Sequence, residues 1–173
     1  MKTVIDTSTL ISLARIHYLD LIPALQIDIV LPDEVYEEAV VMGEQKGIAD
    51  AISIKRFLNN FHIKVITIES SDKQVLRKKL NKILSIGDEA VLSLAIKKRV
   101  NAIITNDDGL GKIASALGFC VDATPDLLLK GLYKKLFDIQ EFEVLIRGLV
   151  IENRLSSVVA ELYLLEGKKY VKS

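Results

Sequence analysis

The sequence contains the run Lys2-Thr3-Val4-Ile5-Asp6-Thr7-Ser8-Thr9, in which β-branched residues end at an acid and three hydroxyl side chains. β-branched residues favour a strand, and hydroxyl side chains can cap the start of a helix. Apolar residues then recur at helical spacing from Leu10 to Ile16. The run therefore predicts one strand–helix unit with Asp6 at the junction.

The same alternation continues along the chain. Further strands are expected at 27–31, 63–68, 102–105 and 119–121, and the helices between them at 33–41, 48–60, 72–84, 85–98 and 109–117. Short apolar strands that alternate with helices predict parallel strands that are covered on both faces. We therefore expect a three-layer α/β/α fold with a central parallel sheet.

After Pro125 the pattern becomes entirely helical, with helices expected at 127–133, 139–150 and 155–165. This part is short for a core of its own. We expect an α/β domain over 1–124 and a helical extension over 125–173, which packs on the same domain or in a dimer interface.

The composition indicates one globular unit: 173 residues, half of them apolar, with a formal net charge of zero. Zero net charge argues neither for nor against a polyanionic partner. Cys120 is the only cysteine, so no intrachain disulfide can form; we expect a small buried side chain and a reducing cytoplasm. No apolar run approaches the length of a membrane span, and no export signal is expected.

Acids stand at the ends of the predicted strands. Asp6 ends the first strand, Asp107 and Asp108 follow the strand at 102–105, and Glu89 lies in the first turn of a helix. Carboxylates crowded at one sheet edge raise each other's pKa unless a hard divalent cation neutralises them. The pattern therefore predicts a site for Mg²⁺ or Mn²⁺.

Each acid also has a structural alternative as a helix cap or a first-turn residue. That alternative is strongest for Asp88, because Ser85 and Asp88 resemble a capping arrangement, so we favour Glu89 as the ligand. One of Asp107 and Asp108 can cap the next helix, and the metal role is assigned first to Asp107.

In the acidic helix that starts at Asp33, we favour Glu38 over Glu37. Helical spacing places Glu38 beside the side that carries Val35 and Ala39, which is expected to be buried. Lys112 follows Asp108 by four positions and can lean over the same edge, where a metal site for nucleic acid would need a cation to offset phosphate repulsion.

Two other kinds of site are not expected. The sequence lacks a glycine-rich phosphate loop with its lysine, which argues against a nucleoside triphosphate site. His17 and His62 have no matching Cys or second His nearby in sequence, which argues against histidine-based catalysis.

Four segments in this order resemble the PIN domain family, particularly a prokaryotic branch related to toxin-type nucleases. They are Val4-Ile5-Asp6-Thr7-Ser8-Thr9-Leu10-Ile11, Pro32-Asp33-Glu34-Val35-Tyr36-Glu37-Glu38, Gly87-Asp88-Glu89-Ala90 and Ile103-Ile104-Thr105-Asn106-Asp107-Asp108. The resemblance covers residues 1 to about 122 and implies a parallel sheet between helices.

The resemblance also implies acids that bind Mg²⁺ or Mn²⁺ and cleave RNA. It implies catalytic metal ligands at Asp6, Glu38, Glu89 and Asp107, with Asp108 as a neighbouring ligand and Ser8 and Thr105 orienting carboxylates or water. It further implies a homodimer and, for a toxin-like protein, a small antitoxin-like partner that blocks the acidic pocket.

The function expected from the sequence is a metal-dependent endoribonuclease that hydrolyses RNA phosphodiesters through a metal-activated water. The alternative is a non-catalytic PIN-like module for RNA binding or dimerisation, which the neutral net charge and the helical extension favour. A phosphatase with Asp6 as nucleophile is disfavoured, because Ser8 stands where such an enzyme needs a second carboxylate.

Overall fold

A computed structural model of the chain describes residues 2–80 and 82–172. Within those residues it has the strands β1 Lys2–Ile5, β2 Asp28–Pro32, β3 Lys64–Ile66, β4 Ala102–Ile104 and β5 Cys120–Asp122. They form a parallel sheet in the order β3-β2-β1-β4-β5. Helices flank this sheet, which confirms the expected three-layer α/β/α fold with a central parallel sheet.

The helices are α1 Thr7–Arg15, α2 Leu21–Ala24, α3 Asp33–Tyr36, α4 Met42–Gln45, α5 Ala49–Asn60, α6 Ser70–Arg77, α7 Ile86–Lys98, α8 Asp108–Ala116, α9 Thr124–Tyr133, α10 Ile139–Ile151 and α11 Ser157–Lys172. A π-helical turn, Glu37–Val41, joins α3 to α4 and carries the expected helix on to Gln45. The helix expected at 72–84 is α6, which ends at Arg77; residue 81 of that expectation lies outside the described residues.

The core forms around β1 because this strand has a neighbour on each side. Val4 and Ile5 are fully buried, and α7 packs across β1 and β2. Leu92 and Leu94 are both fully buried although they point to different sides of α7. A helix that is apolar all round belongs inside a protein, so α7 supplies a rigid element beneath the carboxyl ends of the strands.

The chain reverses its direction of travel across the sheet at β1. From β1 it moves to β2 and β3 on one side, and it then returns to β4 and β5 on the other. Ligand crevices of open parallel sheets form outside the carboxyl ends of the strands at such a switch point. Here the switch point brings together Ile5 and Ile104, which are paired, and the Asp6 N–H donates to the Ile104 carbonyl. The residues that follow the two strands are therefore neighbours.

The C-terminal helices share the core of the sheet. α9 packs against α1 and α2, and α10 and α11 pack against α9. Leu128, Phe142 and Leu164 are buried in one hydrophobic cluster with the residues of β1. The boundary expected between 124 and 125 falls inside the first turn of α9.

Two further expectations concern Cys120 and membrane-spanning helices. Cys120 is exposed, so its expected burial is wrong; it lies on β5, an edge strand with a neighbour on one side only. Among the described residues, no helix is both long and apolar enough to cross a membrane.

Candidate functional site

Asp6 is buried at the carboxyl end of β1 and caps α1. Its Oδ1 accepts the Thr7 N–H at 2.7 Å, and its Oδ2 accepts the hydroxyls of Ser8 at 2.7 Å and Thr105 at 2.9 Å. A carboxylate offers about four lone-pair positions, so about one position on Oδ1 stays open. Ser8 and Thr105, expected to orient a carboxylate, both contact Asp6.

Glu38 lies in the π-helical turn and reaches back to the start of α1. The Thr7 hydroxyl donates to Glu38 Oε2 at 3.1 Å, while Oε1 has no partner among the described residues. A Cβ atom added to Gly87 would lie 3.7 Å from the same Oε2, so the carboxylate also faces the first turn of α7. The π turn thus brings Glu38 between α1 and α7.

Asp88 is the residue at which the acids converge. Burial raises the pKa of its carboxyl above the ordinary value, and the negative charges of Asp107, Asp6 and Glu38 raise this pKa further, against a lowering by Ser85. These four acids come from four different parts of the fold: the end of β1, the π turn, α7 and the start of α8. A carboxyl whose pKa is raised by the charges of three other carboxylates is typical of acids that share one site.

Glu89 points elsewhere. Both of its carboxylate oxygens accept hydrogen bonds from the Arg77 guanidinium on α6, and these bonds lower the pKa of Glu89. The structure therefore brings Asp88, rather than Glu89, next to the other three acids. Ser85 caps α7 by accepting the backbone N–H of Asp88 at 3.1 Å, and its hydroxyl also interacts with the Asp88 carboxyl.

Asp107 caps α8 and keeps one oxygen open. Its Oδ1 accepts the Leu110 N–H at 2.7 Å, and its own N–H donates to the Thr105 hydroxyl at 3.0 Å. Oδ2 has no partner within the described part of the chain. The Thr105 hydroxyl thus joins Asp107 to Asp6, since it accepts from one residue and donates to the other.

Asp108 and Lys112 lie beside this site on α8. Asp108 is the first residue of the helix, and its side chain is exposed. Lys112 is exposed one turn later and forms no ion pair with a described residue. Neither side chain is held in one position by the protein.

The donor set fits a hard divalent cation. Asp6, Glu38 and Asp107 each keep an open carboxylate oxygen, and oxygen ligands of this kind suit Mg²⁺ and Mn²⁺. In residues 2–80 and 82–172, no three His, Cys, Asp or Glu side chains already form a group that could hold a metal ion. Mutual repulsion opposes such a close grouping, whereas a bound cation would favour it.

An open groove adjoins the acids. It has a volume of about 620 Å³ and is lined by Asp33, Glu34, Glu37, Glu38, Met42, Ile86 and Gly87. Met42 and Ile86 are exposed apolar side chains, and Lys73 neutralises part of the acidic wall by donating to Glu34 at 2.6 Å. The groove is therefore both acidic and apolar.

A comparison with family models identifies the fold. The model described as "PIN domain" matches residues 2–162, which include the sheet, all four converging acids and most of the C-terminal helices. No curated protein and no solved structure shows significant similarity to the chain. Since the matched segment covers most of the sequence, the chain belongs to the PIN domain family.

Proposed function

We propose that this protein is a Mg²⁺- or Mn²⁺-dependent endoribonuclease whose acids are Asp6, Glu38, Asp88 and Asp107. The observation that carries the proposal is that hydrogen bonds through Thr7 and Thr105 bring Asp6, Glu38 and Asp107 together at the carboxyl end of β1. PIN domains are generally nucleases and typically use divalent metals, which supports hydrolysis of nucleic acid by this site.

The residues of the site have distinct tasks in this proposal. Ser8 and Thr105 hold Asp6 in one orientation, and Leu110 and Thr105 hold Asp107. A bound cation would polarise the scissile phosphodiester and lower the pKa of a water that attacks it. The open carboxylate oxygens would hold that cation.

Two positively charged side chains, Arg77 and Lys112, are available to contact RNA phosphates. Glu89 fixes Arg77 through a two-point contact, and the Arg77 side chain is still 65 % exposed. We assign Glu89 to holding this arginine rather than to the metal. Lys112 lies on α8, four residues after Asp108. Such cations would offset the repulsion between phosphates and the acidic site.

The three acidic doublets allow a test with internal controls. The measurement is calorimetric titration with Mn²⁺, together with cleavage of single-stranded RNA, for the parent, Asp6→Asn and six variants in three pairs. The pairs are Glu37→Gln with Glu38→Gln, Asp88→Asn with Glu89→Gln, and Asp107→Asn with Asp108→Asn. Each pair removes the same charge from adjacent positions.

The proposal expects one member of each pair to fail. Asp6→Asn, Glu38→Gln, Asp88→Asn and Asp107→Asn should lower Mn²⁺ affinity and cleavage at least about 100-fold, while their neighbours change either quantity by less than about fivefold. Cleavage by Asp6→Asn at the parent's rate would overturn the mechanism. Loss of Mn²⁺ binding in Glu89→Gln, with retention in Asp88→Asn, would move the ligand to position 89.

A second candidate function is a non-catalytic module that binds RNA or dimerises. The observation that favours it is an apolar outer face on α10 and α11. Its side chains are 56–77 % exposed and lie at helical spacing on the sides of α10 and α11 away from the core: Val144, Ile151, Val158, Leu162 and Leu165. The ion pairs Glu143–Lys168 and Arg147–Glu161 flank this face.

We take a second copy of this chain as the partner of that outer face. Its flanking charges are balanced, so a two-fold axis can place each positive side chain near a negative one of the other copy. Leu162→Glu should convert the protein to a monomer in analytical ultracentrifugation, whereas Val75→Glu, on exposed α6, should not. A parent that sediments as a monomer at every concentration contradicts the dimer.

A toxin-like role would add a protein partner and a cytoplasmic location. The acidic and apolar groove suits a basic amphipathic peptide, the kind of segment that a small antitoxin-like protein would use to cover the acids. The lone cysteine suits a reducing compartment. Co-purification of a small basic protein that inhibits RNA cleavage would support this role.

A further inference from the structure

Asn106 uses its whole side chain in hydrogen bonds within the protein. Its Nδ2 donates to the hydroxyl oxygens of Ser12 at 2.9 Å and Thr124 at 2.8 Å, and its Oδ1 accepts the Thr124 N–H at 2.7 Å. The orientation of the amide is fixed, because a backbone N–H can only donate and must meet the oxygen. Asn106 therefore clamps the β4–α8 loop between α1 and the first residue of α9.

The backbone of Asn106 continues this network into the acidic site. Its N–H donates to Ser8 Oγ at 3.0 Å, and the Ser8 hydroxyl donates in turn to Asp6 Oδ2 at 2.7 Å. With the Asn106 N–H on its oxygen, the Ser8 hydroxyl proton is directed to Asp6. Asn106 also lies between Thr105 and Asp107, so the clamp sets the backbone that carries a second acid.

The far side of the clamp extends into the C-terminal helices. Thr124 begins α9 and is completely buried. Asp126, in the first turn of α9, accepts the Ala123 N–H through Oδ2 at 2.7 Å and the Tyr163 hydroxyl of α11 through Oδ1. An unbroken chain of hydrogen bonds and short backbone links thus runs from α11 to Asp6.

We propose that Asn106 is a positioning residue that uses α9 as a fixed support to orient Asp6 and Asp107 for the cation. The inference rests on the proposed function, because it concerns the same metal site. It gives the C-terminal helices a task in the chemistry that the acids alone would not require. Asn106 itself contacts neither the cation nor the RNA.

A merely structural role makes a different prediction. If Asn106 only stabilised the loop, its loss would lower the melting temperature, because polar groups that it bonds would be left without partners. The protein that remains folded would then bind Mn²⁺ and cleave RNA as the parent does. The two roles therefore differ in the properties of the folded fraction.

The experiment compares the full-length parent with Asn106→Ala and with the matched control Asn101→Ala. Asn101 precedes the same strand, β4, and its side chain is exposed and makes no hydrogen bond to a described residue. Mn²⁺ affinity is measured by calorimetry, and kcat and KM by cleavage of single-stranded RNA. Amide hydrogen exchange of Thr7 and Leu110, whose N–H groups bond Asp6 and Asp107, reports the acids in metal-free protein.

A second pair tests the α9 side of the clamp without touching the loop. Thr124→Val removes the hydroxyl that accepts from Asn106 and keeps the side-chain shape, whereas Thr124→Ser keeps the hydroxyl. Thr124→Val should weaken Mn²⁺ binding several-fold, and Thr124→Ser should restore it. Such rescue depends on the hydrogen bond rather than on packing.

For Asn106→Ala we expect a 10- to 100-fold loss in Mn²⁺ affinity or kcat, a KM for RNA within about threefold of the parent, and faster exchange at Thr7 and Leu110. Parent-like exchange, affinity and kcat in the folded variant would overturn the inference and leave the nuclease intact. A parent that neither binds Mn²⁺ nor cleaves RNA would instead overturn the proposed function, and the inference with it.

Discussion

The side chain of Asp88 carries the electrostatic cost of assembling the acidic site. Its raised pKa means that the folded protein disfavours the ionised form relative to the unfolded chain. The sign of the resulting pH dependence follows directly. The stability contribution is fully present below the unfolded pKa and is lost as the pH rises through the raised folded pKa.

This sign predicts the behaviour of Asp88→Asn in thermal unfolding. Without divalent ions, the variant should melt a few degrees above the parent at neutral pH, and the difference should shrink as the pH falls toward about 4. Mg²⁺ should raise the melting temperature of the parent more than that of the variant. Asp108→Asn, which removes an exposed carboxylate, is the control, and equal curves for the two variants would contradict the prediction.

Sequence reasoning reduced three of the candidate acids to doublets, at 37/38, 88/89 and 107/108, and local signals alone could not decide between the members of each doublet. Adjacent helical residues point about 100° apart, and both members of a doublet in a first turn suit the helix dipole. At 88 and 89 the choice depends on Arg77, which comes from a different helix and takes up Glu89. Only a tertiary contact distinguishes the two positions.

At the scale of one element, α8 contains two glycines, Gly109 and Gly111, with different surroundings. A Cβ atom at Gly109 would lie 3.0 Å from Asp107 Oδ1, tighter than most contacts of a real Cβ, whereas one at Gly111 would lie 3.6 Å from Val121 Cγ1, an ordinary contact. Alanine favours a helix over glycine by about 1 kcal/mol at either position. Substitution of each glycine by alanine therefore separates the effect of a steric contact with Asp107 from the effect of helix propensity.

We expect Gly109→Ala to lower Mn²⁺ affinity and RNA cleavage several-fold, because the methyl group displaces the Asp107 carboxylate by a few tenths of an ångström. Gly111→Ala should leave both quantities unchanged and keep or raise the melting temperature. Calorimetry and initial cleavage rates, measured side by side, check this. Equal losses in the two variants would show that α8 itself, rather than Asp107, responds.

The boundaries of most elements follow from local signals, and the exceptions have tertiary causes. Hydroxyl and acidic caps mark the starts of α1, α7 and α8. The helix expected over 33–41 does not end at 41 but continues through α4, where a Cβ atom added to Gly43 would lie 2.7 Å from Ala51 Cβ. Close packing of α4 on α5 explains this glycine, and periodicity along one helix does not reveal such packing.

At the scale of the whole molecule, the net charge is zero, so any electrostatic attraction of RNA must come from local groups of positively charged side chains. Each phosphate of single-stranded RNA that a side chain neutralises contributes about 0.7 to the slope of log K against log salt. Arg77 is exposed beside the acids, and Lys98 is exposed at the other end of α7. The two positions test where the RNA lies.

In the Asp88→Asn background, which should not cleave, Arg77→Gln should reduce the salt slope of RNA binding by about 0.7, and Lys98→Gln should leave it unchanged. Fluorescence anisotropy over a range of salt concentrations measures both slopes. An unchanged slope in Arg77→Gln would show that this arginine does not contact the RNA and that its ion pair with Glu89 is only structural.

The overall architecture could be predicted from the sequence because short, continuous apolar runs recur between helical patterns along most of the chain. The strands could be ordered along the chain, and parallel pairing then placed their carboxyl ends at one edge of the sheet. The attachment of α9 to the β4–α8 loop through Asn106 could not be foreseen. The side-chain amide of Asn106 joins residues that lie 18 positions apart in the sequence, and no periodic sequence pattern indicates this contact.

The π-helical turn at Glu37–Val41 has a consequence for insertions and deletions. Its closing bond runs from the Met42 N–H to the Glu37 carbonyl, one residue farther than an α-helical bond. π turns behave as a single extra residue within an α-helix. Deletion of Val41 would let the helix from Asp33 to Gln45 become regular while the residues on both sides of the deletion keep their facing. The chain can therefore lose one residue at this turn without rotating either half of the helix.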